Sequence, residues 1–299
     1  MSYFDALASQ NNIVFVAMME LGWEIQRWAS AVNHFINNNP NKQYIIATFP
    51  DRIDLYKNYQ HFCPINIDGL YVRKRPDMYK VQFMDDGEYD GILTSLKANY
   101  PDAFVIEPPK SNYGRWVFSA SELDLDFKPR PLNSQVVHSL LTDRPTITLA
   151  PRHRKDCKDR NWPYWDELYD MLKDYTVFVA GANASYARPK NMSNCVCLED
   201  CNREGTSTIG LVIEAMRASK VTVGQQSGNP ILSLHLGTPV ISWGHEKQRH
   251  AVDENYKRTP CYFFDDPTYS VRPEVIYQKI VEMTNENIIC SSLLRNINQ

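Results

Sequence analysis

The densest set of chemically capable side chains lies between residues 152 and 160, a stretch that we call the cationic segment. Five of its nine residues carry a permanent positive charge: Arg152, Arg154, Lys155, Lys158 and Arg160. The segment follows TITLAP (146–151), which we predict to be a strand. Guanidinium and ammonium groups bind phosphate oxygens, so this position predicts stabilisation of a leaving diphosphate without a metal. A solvated basic loop is the alternative that the residue types leave open.

Ser227 and Gly228 stand between a second apolar strand, KVTVG (220–224), and a short helix, NPILSLHLG (229–237). The start of a helix has unpaired N–H groups and the positive end of the helix dipole, and it therefore binds anions. A glycine there lets the backbone approach a ligand closely, and a serine hydroxyl adds a donor. The pair thus indicates a phosphate site, with an ordinary helix cap as the alternative.

Two carboxylates follow the first apolar run, IVFVAM (13–18), in the segment MMELGWE (18–24). Glu20 lies in the turn itself, where a carboxylate is able to act as the general base on a hydroxyl. Glu24 lies one helical turn further on, where it either shares that role or supports the helix N-terminus electrostatically. The alternative for both is a surface carboxylate with no part in the chemistry.

Two further polar residues interrupt or follow apolar elements in the second half of the chain. Glu214 interrupts the apolar helix STIGLVIEAMRAS (207–219), where it either contacts a ribose or pairs with Arg217 one turn away. His245 follows the strand TPVISWG (238–244), where it either contacts a base or sugar or is simply exposed.

The elements that position these residues alternate between strand and helix in two series, one on each side of an irregular connector at 110–145. In the first half we predict strands at 13–18, 43–50, 69–73, 80–84 and 103–109, and helices at 21–38 and from Asp51. In the second half we predict strands at 146–151, 176–181, 194–199, 220–224 and 238–244, and helices at 164–175, 207–219, 229–237 and 272–285.

Such alternation predicts an α/β fold with two parallel sheets, each wrapped by helices. We therefore expect two Rossmann-like domains that face each other across a cleft, over residues 1–140 and 141–275, followed by a C-terminal helix and tail at 276–299. Ligands of these sheets bind beyond the carboxyl ends of the strands, which is where the polar residues described above are predicted to lie.

Composition excludes some classes of function. With 43% hydrophobic residues and a net charge of -3, the chain is predicted to fold. The first 145 residues hold 14 Lys/Arg against 17 Asp/Glu, and the rest of the chain holds 18 of each. Neither half therefore has the charge of a basic nucleic-acid domain, although RKR (73–75) forms a local basic patch. The sequence shows no export signal and no apolar run of about 20 residues, which predicts a cytoplasmic protein whose seven cysteines are reduced. The spacing of Cys195, Cys197 and Cys201 is not a standard zinc pattern, and we expect no metal.

Three segments carry a resemblance to a known family: RNWPYWDEL (160–168), GQQSGNPILSLHLGTPVISWG (224–244) and LGWEIQRWASAV (21–32). They resemble, in that order, the Lys-x-Trp-Pro, Asp-Thr/Ser-Gly and Leu-Gly-Asp segments of the heptosyltransferase-like group, glycosyltransferase family 9. The resemblance covers 146–244, with a weaker match at 13–36. It implies the GT-B fold and an inverting, metal-independent glycosyltransferase that uses a nucleotide-diphosphate-sugar as donor substrate and transfers a hexosyl, heptosyl or pentosyl group.

The resemblance also implies roles for the residues already described. The donor phosphates would be bound by Arg152, Arg154, Lys158, Arg160, Ser227 and Gly228. The donor nucleoside or sugar would be bound by Gln226, Asn229, Glu214 and His245. Glu20, with Glu24 as the alternative, would deprotonate the acceptor hydroxyl.

Three positions depart from the family pattern. Gln226 stands where the family has an acidic residue, Ile231 where it has a histidine, and Trp23 where it has the acid of the first turn. The donor is therefore expected to differ from the usual one of the family.

Several alternatives stay open. The acceptor implied by the resemblance is a surface glycan, a lipopolysaccharide or another lipid-linked glycan, and the second acceptor class is DNA with hydroxymethylated bases, as in phage enzymes. A nucleotide-sugar 2-epimerase of the same fold would need cleft acids and a histidine, for which Glu20, Glu24 and His245 are the loose candidates. The alternative of another class is a nucleotide-sugar-binding protein with no activity.

Overall fold

The computed structural model describes residues 12–17, 21–49, 52–56, 62–66, 86–107, 135–153, 158–181, 186–190, 192–201, 208–246 and 259–297. The chain divides into two units, Met1–Leu132 and Asn133–Gln299, which we call the N-terminal unit and the C-terminal unit. The predicted strands at 69–73 and 80–84 lie outside the described residues, as do Glu20 and Arg154.

The N-terminal unit consists of strands and helices in alternation. Its described elements are β1 (Asn12–Ala17), α1 (residues 21–38), β2 (Gln43–Thr48), α2 (Ile53–Tyr56), β3 (Phe62–Asn66), α3 (Asp86–Asn99) and β4 (Phe104–Ile106). All described strand pairs are parallel, and the strand order is β3-β2-β1-β4.

Helices cover both faces of the central strand β1 because its side chains alternate between the faces. Phe15 points to α1, where its ring packs edge-on against Trp28 and Phe35 at centroid distances of 6.0 and 6.1 Å. Val14 and Val16 point the other way and share a buried cluster with residues of α3, among them Ile92. This two-sided burial explains the unbroken apolar run of β1.

Helix α1 contains a π-helical turn close to its start. The turn covers Glu24–Ala29, between α-helical segments at Leu21–Trp23 and Ser30–Asn38. π-Helical turns are rare and often occur at functional sites. Here the turn begins at Glu24, one of the two predicted catalytic carboxylates.

The C-terminal unit repeats the alternation on a larger scale. Its described elements are α4 (Gln135–His138), β5 (Thr146–Ala150), a 3-10 turn (Lys158–Arg160), α5 (Trp165–Met171), β6 (Thr176–Val179), β7 (Cys195–Cys197), a second 3-10 turn (Leu198–Cys201), α6 (Thr208–Ala218), β8 (Val221–Gln225), α7 (Gly228–Leu236), β9 (Val240–Gly244), β10 (Cys261–Asp265) and α8 (Pro273–Ile297). The described strands form one parallel sheet in the order β10-β9-β8-β5-β6-β7.

The main core of this unit lies on one face of the sheet. There, three tryptophans pack together: Trp162 and Trp165 flank the start of α5, and Trp243 comes from β9. Residues of α5 and α8, such as Leu168 and Ile276, complete this cluster.

On the opposite face, hydrogen bonds between buried hydroxyl groups join the sheet to the chain after α6 and to α7. Thr148 of β5 and Ser219, just after α6, share a hydrogen bond of 2.8 Å, and Ser233 of α7 donates to Thr222 of β8 at 2.8 Å. These bonds satisfy polar groups that would otherwise be costly to bury.

The architecture confirms the predicted α/β class. The predicted strands at 13–18, 43–50, 146–151, 176–181 and 220–224 correspond to β1, β2, β5, β6 and β8 with small shifts at their ends. Three described elements were not predicted from the sequence: β3, α3 and β10. In addition, α4 lies inside the predicted irregular connector.

Candidate functional site

The strand order of the C-terminal unit creates a point where the chain changes direction along the sheet. From β5 the chain moves to β6 and β7 on one side, then returns to form β8 on the other side of β5. This is the Rossmann order, and ligands of such sheets bind beyond the carboxyl ends of the strands at this switch point. We call the side of the sheet where β5, β8 and β9 end its carboxyl edge.

Strands β5 and β8 approach each other closely at this point. Ala150 at the end of β5 pairs with Gly224 of β8. A Cβ atom on residue 224 would lie 2.7 Å from the carbonyl oxygen of Ala150, so only glycine fits without moving the strands.

Gln225, the last residue of β8, joins this edge to the cationic segment. Its side chain is fully buried. The amide oxygen Oε1 accepts a hydrogen bond from the Arg152 backbone N–H at 3.1 Å. The amide nitrogen Nε2 donates to the Arg152 carbonyl at 3.2 Å and to the Arg160 carbonyl at 3.1 Å. One side chain therefore fixes the first and the last residue of the cationic segment beside the switch point.

The side chains of the segment differ in exposure. Lys158 is exposed, whereas Arg152 and Arg160 are half-buried. Burial raises the pKa of Tyr269, and the positive charges of Arg160 and Arg152 both oppose this rise. The positive charges of both arginines thus act on the same buried phenol.

Helix α7 begins three residues after Gln225 along the chain. Its N-cap residue Ser227 has an extended backbone with φ -164°, and the Ser227 hydroxyl makes no capping hydrogen bond to the described residues. Gly228 is the first helical residue, and both residues are partly exposed. The start of α7 thus has the N–H groups and dipole of an anion site next to the cationic segment.

The predicted nucleoside- or sugar-binding residues fall into two groups. Gln226, Asn229 and His245 lie at the carboxyl edge with Ser227: the Gln226 N–H donates to the Trp243 carbonyl at 2.9 Å, and His245 follows two residues after Trp243. Glu214 is buried six residues into helix α6, about 9 Å along the axis from Thr208 at the rise of an α-helix. Glu214 therefore lies within a helix, whereas Gln226, Asn229 and His245 lie at the carboxyl edge of the sheet.

A cavity of about 450 Å³ lies beside the cationic segment, lined among others by His153, Lys158, Asn161 and Trp165. Ala187, which follows β6 in the chain, also lines the cavity, and its N–H donates to the Pro151 carbonyl at 3.0 Å. The cavity therefore lies on the β6 side of β5. None of its described lining residues comes from α7. We therefore distinguish this cavity from the β5/β8 switch point.

In the N-terminal unit, the geometry around Glu24 differs from that of an exposed catalytic base. Glu24 is fully buried. Its Oε2 accepts a hydrogen bond from Arg52 Nη1 at 2.5 Å, and its Oε1 accepts one from the Tyr56 hydroxyl at 2.5 Å. Arg52 is itself 6% exposed, so the two residues form a buried ion pair. Both carboxylate oxygens are engaged, which favours a structural role for Glu24 over proton abstraction.

Two residues of the candidate site were given no role by the sequence analysis. Gln225 is fully buried at the end of β8. In the sequence, only the polar residue at the end of a strand could have indicated its role. Tyr269 is a non-glycine residue with φ 53°, a backbone conformation that sequence patterns do not reveal.

No metal centre is apparent in the part of the chain that the structure describes, because no three or more His, Cys, Asp or Glu side chains converge there. Cys195, Cys197, Cys201 and Cys261 are free thiols. Within the same ranges, no helix has both the length and the apolar character needed to cross a membrane.

Comparisons with known proteins identify the fold. No family model and no curated protein sequence matches the chain. Among solved structures, E. coli ADP-heptose lps heptosyltransferase II matches with a TM-score of 0.60 and 12% identity, over 92% of this chain and 99% of that one.

Two further structures match in the same way. The family 9 glycosyl transferase of Veillonella parvula has a TM-score of 0.59 and 9% identity, over 92% of this chain and 97% of that one. E. coli heptosyltransferase WaaC with ADP has a TM-score of 0.57 and 13% identity, over 91% of this chain and 99% of that one. The chain therefore has the fold of GT-B glycosyltransferases, as the resemblance predicted.

Proposed function

We propose that this protein is a glycosyltransferase that moves a sugar from a nucleotide-diphosphate-sugar to an acceptor hydroxyl. The observation that carries the proposal is the junction at the β5/β8 switch point. There, Gln225 fixes Arg152 and Arg160 beside the start of α7 at Ser227 and Gly228. Backbone N–H groups at a helix start and guanidinium groups both bind phosphate oxygens.

The proposed reaction is a direct displacement with inversion at the anomeric carbon. A carboxylate base, for which we propose Glu20, removes the proton of the acceptor hydroxyl, and the acceptor oxygen attacks the anomeric carbon. The bond from this carbon to the β-phosphate oxygen breaks, and the nucleoside diphosphate leaves with the electron pair. The charge that develops on the leaving group is stabilised by Arg152, Arg154, Lys158 and Arg160 and by the start of α7.

The residues around this junction are proposed to bind the rest of the donor. Gln226, Asn229 and His245 lie at the same carboxyl edge and would contact the nucleoside or the sugar. For Glu214 we retain the proposal of a ribose contact. With cations and N–H groups in place to neutralise the diphosphate, we propose that the reaction needs no metal.

The acceptor and the donor sugar are proposed only at the level of class. The matched E. coli proteins are a lipopolysaccharide heptosyltransferase and a heptosyltransferase with ADP, which supports a glycan acceptor and makes ADP-sugars the first donors to test. Gln226 and Ile231 are both buried at the positions that depart from the family, so we expect another sugar or nucleotide. The DNA alternative depends on residues 73–75, which lie outside the described ranges.

A thermal-shift panel of ADP, GDP, UDP and their sugar conjugates tests donor binding. A ligand that binds only the folded protein stabilises it by about 2.7 kcal/mol at 100 times its Kd, and we expect such a rise for one nucleotide series. If no member of the panel raises the melting temperature, the proposed function is wrong.

Release of nucleoside diphosphate from the selected donor tests catalysis. We expect slow release without acceptor, unchanged by EDTA, and a product of inverted anomeric configuration by NMR once an acceptor is found. Tight binding with no release and no transfer would instead support the non-catalytic alternative.

A further inference from the structure

The side chain of Gln225 is a neutral amide buried where an apolar residue would suit the strand. Its four neighbours towards the start of β8, Val221 to Gly224, are equally buried, and Val221 and Val223 belong to the main core. Burying an amide is costly unless its donors and acceptors are satisfied. At Gln225 the three hydrogen bonds to the cationic segment offset that cost.

The Gln225 amide bonds Arg152 as the backbone of a neighbouring strand would, with one hydrogen bond to the N–H and one to the carbonyl of the same residue. Its oxygen accepts from the Arg152 N–H at 3.1 Å, a donor shared with the Ala150 carbonyl at 3.0 Å, and its nitrogen donates to the Arg152 carbonyl at 3.2 Å. The second N–H of the amide bonds the carbonyl of Arg160 at 3.1 Å. Because residue 152 offers one donor and one acceptor, only one orientation of the amide satisfies all three bonds.

This arrangement ties together two points of the chain that are eight residues apart, without using their charges. The hydrogen bonds go to main-chain atoms of Arg152 and Arg160, and the amide is neutral. The bonded amide fixes the main chain at Arg152 and Arg160, so less entropy remains to be lost when a ligand orders these two residues. A carboxylate at the same place would neutralise a cation and repel two carbonyl oxygens.

We propose that Gln225 is a positioning residue that sets the separation of Arg152 and Arg160, so that their guanidinium groups are arranged for a diphosphate before it binds. This inference rests on the proposed function. The three hydrogen bonds from the Gln225 amide to the main chain of Arg152 and Arg160 support it.

The test compares Gln225→Leu and Gln225→Glu with the control Thr222→Val. Thr222 lies on the same strand, is fully buried and accepts a hydrogen bond from Ser233, so its replacement also removes a buried bond but does not touch the cationic segment. Binding of inorganic pyrophosphate and ADP is measured by calorimetry, and stability by urea denaturation.

We expect Gln225→Leu to weaken pyrophosphate binding about tenfold, because two long side chains must then be ordered on binding. Gln225→Glu should weaken pyrophosphate binding further, because the new carboxylate repels the anion. This loss of affinity should become smaller at high salt, which screens the added negative charge. Thr222→Val should lose stability with an unchanged Kd. Hydrogen exchange at the Arg152 N–H, which also donates to the Ala150 carbonyl at 3.0 Å, should accelerate in Gln225→Leu by more than the loss of stability of that variant explains.

Several results would overturn the inference. If Gln225→Leu binds pyrophosphate as the wild type does while Arg160→Ala does not, the proposed function stands and the positioning role is wrong. If Thr222→Val loses affinity as much as Gln225→Leu, the effect is one of general stability and the role is also wrong. A wild-type protein that binds neither pyrophosphate nor any nucleoside diphosphate overturns the proposed function and this role together.

Discussion

The two units hold arginine residues near the ends of their parallel strands in opposite ways. In the N-terminal unit, Arg52 lies four residues after β2 and is held by the carboxylate of Glu24 in a buried ion pair. In the C-terminal unit, Arg152 and Arg160 follow β5 and are held through their main-chain atoms by the neutral amide of Gln225. Both sheets share the order 3-2-1-4 in their common strands, so the difference lies in the side chains and not in the topology.

This difference shows that a protein is able to hold an arginine in place either with or without neutralising its charge. A carboxylate that holds an arginine also neutralises it, and the pair then contributes structure rather than a field. An amide that holds the backbone leaves the charge of the segment unchanged for an anionic ligand. We therefore expect arginine substitutions to affect folding in the first unit and ligand binding in the second.

The largest effect is expected from Glu24→Ala in the N-terminal unit. This substitution leaves Arg52 buried without its carboxylate, which typically costs about 3–5 kcal/mol of folding free energy. Urea denaturation should show this loss, and hydrogen exchange should locate it in peptides from residues 12–49. The double variant Glu24→Leu/Arg52→Met should regain most of it. If Glu24→Ala instead keeps its stability and loses only turnover, Glu24 is the catalytic base and the comparison fails.

An intermediate effect is expected from Arg160→Ala in the C-terminal unit. A hydrogen bond to a charged group contributes about 1.5–3 kcal/mol, so the affinity for nucleoside diphosphate should fall about 10- to 100-fold. The melting temperature should stay close to that of the wild type.

Arg144→Ala provides the matched control for this variant. Arg144 is exposed and precedes β5, so it lies at the opposite end of the strand, where its Nη1 donates to the Lys173 carbonyl at 3.0 Å. Its removal should leave affinity unchanged. Equal losses of affinity in both variants would mean that the protein binds anions through net charge and not at the switch point.

The smallest effect is a difference in alkaline stability between the units. Burial raises the pKa of Cys195 in the C-terminal unit from 9.0 to about 12. In the N-terminal unit, burial raises the pKa of Tyr44 from 10.0 to about 12. A group with a raised folded pKa stabilises fully below its unfolded pKa and loses this contribution as the pH rises through the folded value.

The C-terminal unit should therefore begin to weaken above about pH 9 and the N-terminal unit above about pH 10, when only these two groups are compared. Unfolding followed by hydrogen exchange at pH 8.5 and pH 10.5 measures both units in one sample. Cys195→Ala should reduce the alkaline loss of the C-terminal unit alone. If this variant leaves the loss unchanged, Cys195 does not control it.

The sequence predicted most of the fold because central parallel strands are buried on both faces. Strand β1 appears as an apolar run for that reason, and β5 and β8 as runs rich in β-branched residues. Two of the four edge strands were missed: β3 contains Pro64, which argues against a central strand but is tolerated at an edge, and β10 is only partly buried. Helix α3 was missed because its charged and glycine residues, as in DGEYDG, obscure the apolar period.

The site was predictable only where residue type and chain position coincide. The sequence indicates Arg160 and Ser227 as candidate site residues because each follows a predicted strand. Their positions in space, however, depend on Gln225, which bonds the Arg160 carbonyl from 65 residues further along the chain. Such a long-range hydrogen bond leaves no periodic signal in the sequence. The burial of Glu24 was equally hidden, because its partner Arg52 is 28 residues away.

The cluster of Trp162, Trp165 and Trp243 gives the protein a built-in optical reporter. Its indole rings lie 4.9 to 5.6 Å apart between centroids, close enough for their excited states to couple. Trp162 is two residues from Arg160, and Trp243 pairs with Gln225 across the β8–β9 ladder. We expect a rearrangement that displaces Trp162 to change the mutual angles of these chromophores, and stopped-flow emission or near-UV dichroism would then follow it in real time without an added dye.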